Sequence, residues 1–203
     1  MNTADFYPNL GRYIENLPVH TIGASRKTLL EEMASYLNTA DAPKLNFICT
    51  HNSRRSHLSQ IWAQVAAHSY GVSVTTFSGG TEATAFNPNA VAALDRAGFQ
   101  ITNPGGDNPK YEVTFGEEID PMVNYSKKFD EAPNPTKDFA AIMTCSEADA
   151  ECPVVFGASK RIKLFYEDPK VADGTPEEGA TYDERCKQIA TEMFYLFSLV
   201  NKK

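Results

Sequence analysis

Short β-prone runs alternate with helical patterns along this chain, and that alternation constrains the fold more than any other feature of the sequence. The run Leu-Asn-Phe-Ile at 45–48 predicts a buried strand, and a polar loop and a helical pattern of apolar side chains over 58–66 follow it. The unit then repeats, with a β-prone run at 72–76 and a helix that begins at Asn87-Pro88. Strands that are each followed by a helix indicate a parallel α/β sheet.

The second half of the chain completes this pattern after an interruption. Residues 102–138 are rich in Pro, Gly and Asn, and they predict an excursion with one hairpin. Residues 139–143 and 161–165 predict two further core strands. The last helix carries apolar side chains on one face, and Cys186 lies on that face, so we expect it to pack in the core.

Composition narrows the class of protein and the class of partner. The 203 residues are 42% hydrophobic, which suits one soluble domain with a single core. The net charge is −7 and Lys and Arg do not cluster, which argues against nucleic acid or an anionic membrane as a partner, because both require a positive surface. An anionic ligand must therefore be held by a local site.

Cysteine content and apolar segments indicate the compartment. Four cysteines are too few for a disulfide scaffold, and they lack the paired spacing of a zinc site. Residues 1–18 contain no apolar run of signal-peptide length, and the sequence contains no apolar stretch of about 20 residues. We therefore expect a cytoplasmic protein with reduced thiols, in which any cysteine chemistry is catalytic or transient.

The turn from the first strand into the first helix of the sheet carries the most informative motif. There Cys49 stands six positions before Arg55. A compact loop that leads into a helix N-terminus directs backbone N–H groups inward, and these donors bind anions together with the helix dipole. The planar guanidinium adds two donors that match a tetrahedral oxyanion. The same field favours the thiolate of Cys49, with Ser56 as a hydrogen-bond donor to the sulfur, although a buried inert cysteine is the alternative.

The sequence Cys-Thr-His-Asn-Ser-Arg-Arg-Ser at 49–56 resembles the phosphate-binding loop of two related groups of enzymes. These are the low-molecular-weight protein tyrosine phosphatases and the thioredoxin-coupled arsenate reductases built on the same fold. The resemblance also takes in Ser-Gly-Gly-Thr-Glu at 78–82, the Asn87-Pro88 helix and Glu-Asp-Pro at 167–169. It runs from about residue 45 to the C-terminus.

The resemblance implies a three-layer α/β sandwich in which a four-stranded parallel sheet is flanked by helices. Cys49 would be the nucleophile at the C-terminal edge of the first strand, with no metal in the chemistry. The catalytic domain of this family would span 44–203. Residues 1–43 fall outside the resemblance and predict an N-terminal helical extension, because Ser25 can cap a helix with apolar positions at Leu29, Leu30, Met33 and Leu37. The resemblance assigns the oxyanion-binding role to Thr50, His51, Asn52, Ser53, Arg54, Arg55 and Ser56.

Two further cysteines separate the two branches of this resemblance. Cys145 and Cys152 lie seven positions apart just after a predicted strand, as in the arsenate reductases and not in the plain phosphatases. Seven positions of helix span about 10 Å, so a disulfide between them cannot form while the segment stays helical. Two unrelated structural cysteines are the alternative, since free cysteines are commonly buried.

Asp168 and Gln60 complete the comparison. An Asp that precedes a Pro is most often a turn former, but the resemblance implies that Asp168 is the general acid that protonates the leaving oxygen. Gln60 stands where the potassium-binding arsenate reductases carry Glu, which leaves a potassium ion beside the loop an open question. The histidines are expected to be polar surface or helix residues, because a preformed thiolate needs no base.

The leading hypothesis is reduction of arsenate to arsenite. Cys49 would attack arsenate, Cys145 and Cys152 would relay the resulting disulfide outward, and a thioredoxin-type protein would supply the electrons. A phosphomonoesterase that uses Cys49, Arg55 and Asp168 is the first alternative. A binding module that senses an oxyanion or the redox state without turnover is the second.

Overall fold

The computed structural model describes residues 1–151 and 154–201, which leaves Cys152 outside the described residues. The strands are β1 (Lys44–Cys49), β2 (Thr75–Gly80), β3 (Gln100–Thr102), β4 (Tyr111–Thr114), β5 (Met122–Asn124), β6 (Phe139–Met143) and β7 (Ala158–Lys163). The α-helices are α1 (Pro8–Glu15), α2 (Ala24–Thr39), α3 (Arg55–Tyr70), α4 (Pro88–Ala97), α5 (Ser146–Glu151) and α6 (Glu178–Ser198). Short 3₁₀ turns occupy Val19–Thr21 and Pro169–Ala172.

The centre of the molecule is a four-stranded parallel sheet with the order β2-β1-β6-β7. Leu45 and Phe47 of β1 join the larger core on one face, together with α3 and α6. Ile48 joins a smaller cluster on the other face, where Ala148 of α5 packs. The two central strands, β1 and β6, are covered on both faces and are almost wholly buried, as the inner strands of a parallel sheet usually are. The predicted fold, a three-layer α/β sandwich with a four-stranded parallel sheet, is confirmed.

The excursion between β2 and β6 forms a second, antiparallel sheet with the order β3-β4-β5. The predicted hairpin is the β4–β5 pair, in which Val113 lies opposite Met122. The strand β3 was not expected, because its three residues are too few to give a periodic signal and it pairs with β4 across a long connection.

Strand β2 begins later than the sequence predicts, at Thr75 rather than Val72. Gly71 adopts a left-handed conformation at the end of α3, with φ 66°. The Val72 N–H then donates to the carbonyl of Ala67, 2.9 Å away, in a Schellman-type cap. The first β-branched residue of the predicted strand therefore closes the helix instead.

The N-terminal segment lies against the larger core. Helix α2 agrees with the predicted helix, and α1 was not predicted. Both helices bury apolar side chains in the same cluster as β1, namely Leu10, Ile14, Leu30, Met33 and Leu37. Helix α1 passes so close to the end of α4 that a Cβ on Gly98 would lie 2.5 Å from the Leu10 nitrogen. Among the described residues, no helix has the length and apolar composition needed to span a membrane.

Candidate active site

Asn52 fixes the loop that joins β1 to α3. Its backbone is left-handed, with φ 44°, a region in which Asn is tolerated better than most residues. Its buried amide donates to Ser56 Oγ at 2.9 Å, and its Oδ1 accepts from the Lys127 N–H at 2.9 Å. One side chain therefore ties the middle of the loop to the first turn of α3 and to the excursion.

The outer side of the loop is held through its carbonyl groups. The N–H of Glu82 donates to the Thr50 carbonyl at 2.8 Å, and the Ser126 hydroxyl donates to the His51 carbonyl at 2.9 Å. Gly80 makes this close approach possible, because a Cβ there would lie 2.6 Å from the Thr50 oxygen and 2.7 Å from the Asn52 nitrogen. Gly80 of the 78–82 motif thus lets the neighbouring strand support the loop.

The inner side of the loop presents donors. The backbone N–H groups of residues 51–54 donate to no atom in the described part of the chain, and they lead into the N-terminus of the 16-residue helix α3. The buried Nε of Arg55 also lacks a hydrogen-bond partner among the residues that the structure describes. Buried polar donors are normally satisfied, so this set of donors fits a tetrahedral oxyanion.

Cys49 lies at the C-terminal end of β1 beside this loop, and only 3% of it is exposed. The hydroxyl of Ser56 lies 3.1 Å from its sulfur, at the hydrogen-bonding distance that the sequence predicts. The sulfur of a Cys49 thiolate can only accept, so in that form the donor is the Ser56 hydroxyl, whose oxygen accepts from Asn52. A donor at this position favours the thiolate.

Arg55 and Asp168 meet at the same edge of the sheet. Arg55 Nη2 lies 2.7 Å from Asp168 Oδ2, and its Nη1 donates to the carbonyl of Tyr166 at 3.0 Å. The Asp168 side chain also caps the 3₁₀ turn that follows it, by accepting from the Lys170 N–H at 3.1 Å. Asp168 is thus held over the loop by residues from both sides.

Arg54 is directed to a different set of partners. Its Nε donates to the Tyr182 hydroxyl at 2.7 Å, and its guanidinium lies 3.4 Å from Asp173 and 3.9 Å from Asp168. Much of its charge is therefore balanced by carboxylates. Sequence reasoning missed Tyr182 and Asp173, because Tyr182 fits the apolar face of the last helix and Asp173 lies in a polar turn.

Cys145 lies beside the loop, directly before α5. Its sulfur is 3.5 Å from the Thr50 hydroxyl, and the residue is buried with 1% exposed. Burial raises the pKa of the Cys145 thiol, while hydrogen bonds from Thr50 and Ala148 and the charge of Arg55 oppose the rise. The structure therefore brings Cys49, Arg55, Asp168 and Cys145 to one edge, and Cys152 lies outside the described residues.

Other polar residues near the loop have structural partners. His57 is fully buried and stacks on Phe86 with ring centroids 4.1 Å apart, and burial holds its pKa well below the usual value. The Gln60 amide donates to the Thr76 carbonyl at 3.1 Å and accepts from Asn124 at 3.0 Å. The Gln60 amide is thus hydrogen-bonded within the protein through both its nitrogen and its oxygen. The question of a potassium ion stays open.

Cys186 belongs to the larger core, as predicted. It is fully buried on α6 and accepts a hydrogen bond from Trp62 Nε1 at 3.2 Å. Burial raises its pKa to about 12. This thiol is therefore inert at neutral pH.

Comparisons with known proteins agree with this geometry. No protein-family model matches the chain. The arsenate reductase of Bacillus licheniformis is 29% identical over 152 residues, which cover 75% of this chain and 92% of that protein. The arsenate reductase of Shouchella clausii is 30% identical over 132 residues, which cover 65% of this chain and 78% of that protein.

Solved structures support the fold independently. The low-molecular-weight phosphotyrosine phosphatase of Vibrio cholerae O395 superposes with a TM-score of 0.53 at 14% identity, covering 76% of this chain and 94% of that one. The corresponding phosphatase of T. tengcongensis also gives 0.53, at 16% identity, covering 77% and 99%. The chain shares its fold with these phosphatases, and it has an arsenate reductase as a relative at 30% identity. It therefore belongs to the arsenate reductase family, on the low-molecular-weight phosphotyrosine phosphatase fold.

Proposed function

We propose that this protein reduces arsenate to arsenite through a thiol relay from Cys49 to Cys145 to Cys152. The observation that carries the proposal is the position of Cys145, whose sulfur lies 3.5 Å from the hydroxyl of Thr50, the residue that follows Cys49. A phosphatase reaction needs no second thiol there. The relatives named arsenate reductase support the same substrate.

The first step forms a bond between Cys49 Sγ and arsenic. The oxyanion is bound by the N–H groups of the loop and by Arg55, and the Cys49 thiolate attacks arsenic. One oxygen leaves as hydroxide and takes a proton from Asp168, so that water departs. The loop donors and the guanidinium stabilise the charge of the arsenate throughout this substitution.

The second step is the reduction. Cys145, as a thiolate, attacks Cys49 Sγ, and a disulfide forms between the two sulfurs. The electron pair of the S–As bond stays on arsenic, which leaves as arsenite. Since burial raises the pKa of Cys145, its proton must be lost as the step proceeds, and the hydrogen bonds from Thr50 and Ala148 and the charge of Arg55 favour that loss.

The third step moves the disulfide outward. Cys152 attacks Cys145, and Cys49 leaves as the thiolate that its surroundings favour. An external dithiol then reduces the Cys145–Cys152 disulfide. We propose a thioredoxin-type protein of the cytoplasm as this partner, because cytoplasmic dithiol proteins supply electrons to transient catalytic disulfides.

Four cysteine variants test the relay. Arsenate-dependent NADPH oxidation with thioredoxin and thioredoxin reductase is measured for Cys49→Ser, Cys145→Ser and Cys152→Ser, with Cys186→Ser as the matched control. We expect the three relay variants to lose steady-state turnover by at least a hundredfold. We expect Cys186→Ser to retain it within twofold, because serine still accepts from Trp62 in the core.

Single-turnover measurements separate the steps. Cys152→Ser should still release one arsenite per enzyme, because the Cys49–Cys145 disulfide can form, whereas Cys145→Ser should release none. Wild-type turnover by Cys145→Ser would overturn the relay. Loss of turnover in Cys186→Ser at unchanged stability would show that the assignment of the four cysteines is wrong.

A phosphomonoesterase activity is the second candidate. Cys49, Arg55 and Asp168 lie together without any contribution from Cys145, and with water they are sufficient to hydrolyse an aryl phosphate. Hydrolysis of para-nitrophenyl phosphate should be lost in Cys49→Ser and retained in Cys145→Ser. If Cys145→Ser loses both activities equally, Cys145 acts in a step common to both reactions, and its assignment to the relay alone is wrong.

A further inference from the structure

A largely buried ionic cluster joins the N-terminal segment to the chain that leads to Asp168. Arg26 of α2 forms a two-pronged pair with Glu192 of α6, with Nε 2.9 Å from Oε1 and Nη2 2.5 Å from Oε2. Its remaining Nη1 donates to the carbonyl of Phe165 at 2.8 Å. The Tyr166 hydroxyl donates to Glu192 Oε2 at 2.7 Å, and the Tyr166 ring lies 4.8 Å from the Arg26 guanidinium carbon.

The cluster reaches the active site in one further contact. The carbonyl of Tyr166 accepts from Arg55, and Arg55 pairs with Asp168 two residues further along the chain. Residues 165 and 166 are therefore bound by Arg26 and Glu192 on one side and by Arg55 on the other. Asp168 follows these residues by two positions, so both sets of contacts hold the chain that leads to it.

Stability alone does not account for a buried ion pair at this position. Glu192 has 3% of its surface exposed and the Arg26 side chain has 22%, and removing the larger part of two charges from water offsets much of their attraction. The N-terminal helices already bury a row of apolar side chains in the core. An apolar pair would join α2 to α6 equally well, but it would supply no donor to the Phe165 carbonyl and no acceptor to the Tyr166 hydroxyl.

We propose that Arg26 and Glu192 are positioning residues for Asp168, so that the N-terminal segment takes part in proton donation at the active site. This inference rests on the proposed function, in which Asp168 is the general acid. Arg26 acts on residues 165–166 and has no contact with the oxyanion loop. Its replacement should therefore change the rate of protonation and leave oxyanion affinity unchanged.

A double-mutant cycle tests the proposal. The rate of arsenate reduction and the affinity for inorganic phosphate are measured for Arg26→Met, Asp168→Asn and the double variant. We expect Arg26→Met to lower kcat about tenfold with the phosphate Kd within twofold. The double variant should match Asp168→Asn within twofold, because Arg26 has nothing left to position.

Controls separate positioning from packing. Glu32→Gln removes an exposed ion pair between the same helix and Lys160, and it should retain kcat within twofold. Arg26→Lys keeps the charge but not the planar two-pronged pair, so it should recover only part of the loss. If Arg26→Met does not fold, Arg26→Lys and Glu192→Gln enter the same cycle with Asp168→Asn.

Three outcomes would overturn the proposal. A further tenfold loss in the double variant would show that Arg26 acts independently of Asp168, and an unchanged kcat in Arg26→Met would show that it does not act. If the wild type does not reduce arsenate, the arsenate assignment fails, and the positioning of Asp168 is then tested by the same cycle with phenyl phosphate. If neither substrate turns over, the proposed function and this inference both fail.

Discussion

Replacement of Asn52 tests whether one side chain sets the geometry of the oxyanion loop. The variants Asn52→Ala and Asn52→Gly both remove the amide that bonds to Ser56 and to the Lys127 N–H. They differ in the backbone, because φ at this position is 44° and glycine adopts that value without strain. The pair therefore separates the hydrogen bonds from the left-handed conformation.

The structure gives the size of each effect. Loss of the amide leaves the buried Lys127 N–H without its acceptor, which costs about 1–3 kcal/mol, and both variants share this cost. The left-handed conformation adds about 1–2 kcal/mol in Asn52→Ala. Glycine avoids this strain, but the greater conformational freedom of the unfolded Asn52→Gly chain lowers the unfolding free energy by about 0.5–1 kcal/mol. We expect losses in unfolding free energy of about 3 kcal/mol for Asn52→Gly and about 4 kcal/mol for Asn52→Ala.

Urea unfolding and phosphate binding measure the two consequences. Both variants should weaken binding at least tenfold, because the N–H groups of residues 51–54 lose their common orientation. If Asn52→Gly is destabilised more than Asn52→Ala, the left-handed backbone is not a source of strain. If both variants bind phosphate as tightly as the wild type, the loop does not depend on this amide, and the account of the oxyanion site is refuted.

Three further predictions concern the supports of the loop. Gly80→Ala should abolish phosphate binding, since a Cβ there would lie 2.6 Å from the Thr50 oxygen, whereas Gly179→Ala, with no atom within 4 Å, should bind normally in the same calorimetric titration. Burial lowers the pKa of Lys127 to about 8. Between about pH 8 and about pH 10.5 the unfolded chain therefore binds more protons than the folded chain. The unfolding free energy of the wild type should therefore rise over that range relative to Lys127→Met, by up to about 1.4 kcal/mol per pH unit, and a parallel pair of curves would contradict this. His57, whose pKa is depressed by burial, should stay neutral at pH 5.5 by NMR, and a titration near pH 6.5 would show that the ring reaches solvent.

The parts of the fold that depend on local pattern could be predicted from the sequence. Strand β6 lies at the predicted residues, and α4 begins at the predicted Asn87 cap, because a fully apolar run and an Asn-Pro cap are signals contained within a few residues. Helix α1 gave no such signal, since it contains a glycine and has no capping side chain. Its position depends on packing against Gly98, a contact between distant parts of the chain.

The candidate site likewise contains parts that have a local sequence signal and parts that depend on contacts between distant residues. The loop from Cys49 to Ser56 is continuous in sequence, so its place between a predicted strand and a predicted helix, together with the family resemblance, allowed it to be predicted. The contacts of Arg54 with Tyr182 and of Arg26 with Glu192 join residues more than 100 positions apart, and no local pattern reports such pairs. Fold-level resemblance did not help with Arg26, because the resemblance begins at about residue 45.

The burial of the N-terminal helices has a practical consequence for how this enzyme can be divided. A chain shortened to begin at Lys44 would keep every residue of the proposed relay. It would also uncover the apolar surface on which Leu10, Leu30 and Met33 now pack, and an exposed surface of that kind promotes self-association. We therefore expect that residues 44–203 are not an autonomous module, and that fusions or transplants of this enzyme need its first 43 residues.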